Sequence, residues 1–168
     1  MIELSGLFSP DYPPFEAPPD DDLVRSVEAA LGLRLPPAYI ALARTHNGGY
    51  LERSVHPADN STTWAADHVA VASLAAIGRA ADFSLCGETG SRFWLQEWGY
   101  PDIGIYFADC PSAGHDMIAL DYRGGGEPSV VHVDSEVGYR ITVLAPDFAT
   151  FVNGLVREAE FNGQRSAT

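Results

Sequence analysis

Residues 103–144 read IGIYFADCPSAGHDMIALDYRGGGEPSVVHVDSEVGYRITVL, and this block decides the fold. Ile103, Ile105 and Phe107 alternate with Gly104 and Tyr106, the two-residue period of a strand. Met117 to Tyr122, Ser129 to Asp134 and Tyr139 to Leu144 read as three further strands. Gly124-Gly125-Gly126 and Ser135 to Gly138 supply the turns between them. Connections this short join antiparallel neighbours, because parallel strands need a long crossover.

Helical patterns lie on both sides of this block. Asp20, Asp21 and Asp22 precede Leu23, Val24, Val27, Ala30 and Leu31, which fall at helical spacing. The aspartates cap the helix and complement its positive end, and Gly32 fits its stop. Pro36 and Pro37 open a second helix, continued by Tyr39, Ile40, Leu42 and Ala43 and ended by Asn47-Gly48-Gly49. Tyr50 to Val55 predicts a strand, Val69 to Ser73 another, and Ser91 to Trp98 a helical segment. Ala145-Pro146-Asp147 opens a final helix with Phe148, Phe151, Val152, Leu155 and Ala159 as its buried stripe. A helix pair, then antiparallel strands, then a helix is an α+β pattern. The expectation is a single domain over residues 20–162, its central, mainly antiparallel sheet flanked by the N-terminal helix pair and the C-terminal helix. Residues 1–19 form an extended Pro-rich arm that Leu7, Phe8, Tyr12 and Phe15 can pin to the body. Residues 163–168 are expected to fray.

The chain has 168 residues, enough for one core of ordinary size. Ten arginines stand against 23 acids, a formal charge of −13, and there is no lysine. Chemistry that needs a lysine is excluded, and so acidic a surface repels phosphate backbones. A basic partner is favoured. No stretch approaches the ~18 apolar residues of a membrane span. Residues 1–10 carry Glu3 and no basic residue, unlike the positive start of a signal peptide. Two cysteines make no disulfide framework, so a reducing cytoplasm is expected. The charge is local. Residues 1–30 carry −6 and residues 97–136 carry −7, while the remainder is neutral.

Two stretches stand out together. The first is Val27-Glu28-Ala29-Ala30-Leu31-Gly32-Leu33-Arg34-Leu35-Pro36-Pro37-Ala38-Tyr39, followed by Asn47-Gly48-Gly49. The second runs from Ile103-Gly104-Ile105-Tyr106 through His115–Tyr122 and Glu127–Asp134 to Phe148 and Phe151. Over about residues 20–156 the chain thereby resembles the SUKH superfamily, also described as the Smi/Knr-like family. It implies an α+β domain with a central sheet and no catalytic motif. It further implies either an immunity protein that neutralises a toxin made by the same cell or, as in fungal members, a regulatory or scaffold module linked to cell-wall synthesis.

The candidate partner-binding residues are Asp109, Asp116, Asp121, Glu127, Asp134 and Glu136, with Trp98 as an aromatic anchor. The expected partner is a basic protein toxin, not a nucleic acid or a membrane. No catalytic residue, metal or other cofactor is assigned. His115, Asp116, Asp121, His132 and Asp134 have the chemistry of metal ligands, but their spacing matches no metal motif. Val131 and Val133 already supply a buried face, so His132 and Asp134 read as exposed strand positions. Cys110 and His115, five apart, match no thiol-enzyme signature. The triple glycine lacks the Lys-Ser/Thr of a phosphate loop.

Overall fold

Asp20 caps the first helix by accepting the Leu23 N–H at 2.8 Å, and Gly32 ends it in the left-handed region at φ 70°. This is α1, Asp21–Leu31, in a computed structural model that describes residues 1–166. Helix α2, Pro37–Thr45, begins on a proline, where a missing N–H costs little. The chain then turns through Asn47-Gly48-Gly49. Gly48 needs its residue type, since at φ 69° a Cβ would lie 2.6 Å from the Ala76 nitrogen.

Among the described residues, eight strands follow in two sheets. β1 (Gly49–Tyr50), β4 (Ser73–Leu74), β5 (Gly104–Asp109), β6 (Asp116–Asp121), β7 (Ser129–Asp134) and β8 (Arg140–Ala145) form one sheet in the order β1-β4-β5-β6-β7-β8. Every pairing in it is antiparallel. β2 (Val55–Pro57) and β3 (His68–Ala70) pair with each other as a small second sheet. The four-strand meander from β5 to β8 follows the alternation in the sequence. The strand expected over Tyr50 to Val55 is divided between the two sheets. The cause is the arm, where the Leu7 carbonyl accepts the N–H groups of Glu52 and Arg53 and pulls the intervening chain out of register. The segment from Val69 to Ser73 is divided in the same way, into β3 and β4.

Both faces of the large sheet are covered. Ile105, Phe107, Ile118, Leu120 and Val130 pack against Tyr39 and Leu42 of α2 and against Phe148 and Phe151 of α4 (Phe148–Gly154). Tyr106, Met117, Ala119, Val131 and Val133 pack on the other face with Trp94 of α3 (Ser91–Gln96) and with Tyr100. A buried side chain of that size contributes roughly 1.5–3 kcal/mol, so each cover is worth several.

The single final helix expected from the apolar stripe is two helices. Leu155 is extended, with ψ 135°, and Val156 exchanges backbone hydrogen bonds with Val55 at 2.8 and 3.1 Å. α5, Glu158–Ser166, begins after that bridge and buries Phe161. Of the tail expected to fray, residues 163–166 are helical and residues 167–168 lie outside the described residues. No helix among the described residues is long and apolar enough to cross a membrane.

Candidate functional site

The sheet separates the predicted binding residues into two groups. Asp109 ends β5, Asp116 opens β6 and Asp134 ends β7, so all three lie at one end of the sheet, with Glu136 in the following turn. Asp121 and Glu127 lie at the opposite end, a strand length of about 17 Å away. Tyr122, next to Asp121, donates to the Arg34 carbonyl at 2.6 Å, so the loop between α1 and α2 adjoins this far end.

Each residue has its own surroundings. Asp121 is gripped by Arg123, with Nε–Oδ1 at 3.0 Å and Nη2–Oδ2 at 2.7 Å, and this contact holds its carboxyl below the usual range. Glu127 is exposed. Glu136 is exposed and its Oε1 lies 2.7 Å from His115 Nδ1. Trp98 is half-buried. Its ring meets those of Trp94 and His115 at 5.5 and 5.9 Å, and its carbonyl accepts the Tyr139 hydroxyl at 2.5 Å. Gly114 lets these rings close over the backbone. At its φ of 88° a Cβ would lie 2.7 Å from Trp94. Asp109 is half-buried, accepts the Ser73 hydroxyl at 2.5 Å, and has its pKa raised by burial.

Asp116 and Asp134 are not surface residues, being 3% and 8% exposed, and His132 is fully buried. The expectation of exposed strand positions is corrected here. It assumed one covered face, whereas Asp116, His132 and Asp134 share with Ile118, Leu120 and Val130 the face packed against α2 and α4. Thr63 and Trp64 of a preceding loop line the same shallow depression as Ser112, Asp116 and Asp134.

Beneath that depression is a cluster that the spacing of its residues in the sequence does not signal. His132 Nε2 lies 2.6 Å from Asp116 Oδ2. Burial is the largest single influence on the Asp116 pKa and pushes it up, but His132, Ser112 and Cys110, which all face the carboxylate, together outweigh it, and the net direction is down. Asp116 Oδ1 and His132 Nδ1 are buried without a hydrogen-bond partner among the described residues. Each such atom costs roughly 1–3 kcal/mol when left unpaired. The Cys110 thiol is 2% exposed, and burial together with the Asp116 charge drives its pKa well up. One ligand atom each from Cys110, Asp116 and His132 lies within 4.8 Å of the others. Cys110 thus groups with His132, while the histidine nearest in sequence, His115, turns outward to Glu136. Both cysteines are free.

Most acids of the first segment are engaged by partners within the chain, Asp21 and Asp22 at the surface. Glu16 accepts the N–H groups of Ala80 and Ala81 at 2.8 and 3.1 Å. Asp21 pairs with Arg44, and Asp22 with Arg25. Glu28 accepts the Leu35 N–H at 2.8 Å and meets Arg34 at 3.0 Å. Asn47, expected only to end a helix, is a buried hub. Its amide donates to the Ala17 and Ile77 carbonyls at 2.8 and 3.1 Å, and its oxygen accepts the Ile77 N–H at 2.8 Å. The Asn-Gly-Gly sequence signals a turn but carries no mark of these distant partners.

The surface left at the Glu136 end combines His115, Glu136, half-buried Trp98 and Val137, which is 53% exposed. Acid, aromatic and aliphatic groups side by side suit protein binding. No curated protein and no solved structure matches the chain. The model of the SMI1 / KNR4 family (SUKH-1) matches residues 18–154, which take in both helices of the opening pair, the whole meander and α4. With that match over most of its length, the chain belongs to the SMI1 / KNR4 family, SUKH-1.

Proposed function

We propose that the chain is a non-enzymatic protein-binding domain acting as an immunity protein. It neutralises a cognate basic protein toxin in the cytoplasm by covering the toxin's active-site or substrate surface. The observation that carries this reading is the charge of −13 with no lysine. A field of one sign speeds encounter with a surface of the other. Family membership supports a binding role. The docking surface centres on the turn Ser135–Val137, with Glu136 and Trp98 as contacts. Asp109 contributes to the field at its rim. Buried Asp116 and Asp134 act through position and charge, not contact. Asp121, paired with Arg123, and Glu127 lie at the far end, away from this surface.

Co-expression with the product of the neighbouring gene tests the proposal. Rescue from toxicity together with a stoichiometric complex is the expected result. A toxin encoded nearby that neither binds nor is neutralised overturns the immunity role. Binding to housekeeping partners without rescue places the chain among regulatory or scaffold modules instead.

A further inference from the structure

Three strands of the large sheet end around one group of donor atoms. Cys110 follows β5, Asp116 opens β6 and His132 lies in β7. All three are buried, and one sulfur, one oxygen and one nitrogen lie within 4.8 Å of each other. Asp116 Oδ1 and His132 Nδ1, in residues 3% and 0% exposed, have no hydrogen-bond partner among the described residues. Asp134 stands opposite Asp116 in the ladder, and Asp109 precedes Cys110. All three carboxylates bear on the thiol. A buried site with sulfur, imidazole and carboxylate donors and concentrated negative potential is the complement of a soft or borderline divalent cation.

We propose that Cys110, Asp116 and His132 bind one divalent cation of the zinc class. On binding, the Cys110 S–H bond breaks, its proton leaves to solvent, and the sulfur gives its electron pair to the metal. Thiolate and carboxylate then balance the two positive charges, and His132 binds as neutral imidazole. Tetrahedral zinc places such ligand atoms about 3–4 Å apart, given bonds of ~2.0–2.3 Å. The 2.6 Å contact between His132 and Asp116 therefore opens, and the wider separations close, by about an ångström. Asp134 or a solvent molecule from the depression above it supplies the fourth position. The sulfur selects against magnesium and calcium, which prefer oxygen. The cation would staple β5, β6 and β7 at their common end, whether or not a toxin is the partner.

The chelator-treated full chain is titrated with Zn²⁺ and, in parallel, with Co²⁺. One metal per chain is expected, with one proton released near neutral pH and a rise in melting temperature. Bound Co²⁺ is expected to show a thiolate-to-metal charge-transfer band. Cys86→Ser should keep that band and Cys110→Ser should lose it, while Asp116→Asn weakens binding at least tenfold. Absence of stoichiometric binding in the unaltered chain overturns the proposal without any variant having to fold. So does a band that survives Cys110→Ser, or binding abolished by His115→Ala, which places the metal on the exposed surface.

Discussion

Asp116 and Asp134 stand directly opposite each other on one rung of the β6–β7 ladder, and both are buried. Like charges so placed destabilise a strand pair, with cross-strand effects on the order of 0.2–1 kcal/mol. Asp134 also accepts the Glu136 N–H at 2.8 Å, which an amide oxygen does equally well. Asp134→Asn is therefore expected to stabilise the metal-free protein by up to about 1 kcal/mol at neutral pH. Chemical denaturation measures this. A lower midpoint would mean that the carboxylate makes a favourable contact outweighing the repulsion.

Asn47→Ala removes two donated hydrogen bonds and one accepted one, and it strands the buried backbone groups of Ile77. The expected cost is about 2–4 kcal/mol. The melting transition should remain single, because the hub joins the arm, the helix pair and the segment before α3. A separate early transition confined to the arm would contradict this.

His56 is buried, stacks on Phe151 at 4.9 Å, and has its pKa lowered chiefly by burial. A histidine whose folded pKa lies below its unfolded value keeps its full contribution above the unfolded value of 6.5. That contribution is lost as the pH falls from there through the folded pKa. Stability is thus expected to drop with acidification below about pH 6.5, by at most about 1.4 kcal/mol per pH unit from this group. His46, also lowered by burial, acts in the same direction. His56→Phe should flatten the slope, and an unchanged slope would assign it to other groups.

Glu136→Arg and Glu127→Arg change charge equally at opposite ends of the sheet. If a basic partner docks on the Ser135–Val137 turn, Glu136→Arg slows association on the order of tenfold at low salt, and Glu127→Arg much less. The difference should shrink as salt rises. Stopped-flow association with the purified toxin separates the two, and equal effects would remove the preference for one end.

Much of this architecture was legible in local pattern. The alternation from Ile103 onward, the Asp20 cap, the Gly32 stop and the proline start of α2 are short-range effects, and the structure contains each of them. In the sequence His132 reads as exposed because Val131 and Val133 already account for one buried face. Only tertiary packing reveals that α3 covers that face while α2 and α4 cover the other. Cys110 meets His132 through the pairing register of three strands, which no sequence spacing encodes. The break at Leu155 likewise depends on a distant partner, Val55. The acidic segments could be counted but not located, since capping and internal pairing take up most of the first.

Asn47 bears on the order in which the molecule assembles. The meander joins neighbours across short turns, so little loop entropy opposes its early formation. Asn47 binds Ala17 and Ile77, each 30 residues away along the chain. Its bonds close only after both segments have arrived, which makes the hub a late-forming lock. Its loss should therefore speed unfolding and leave the folding rate nearly unchanged. The residue that ends a helix in the sequence thereby governs how long the folded state lasts.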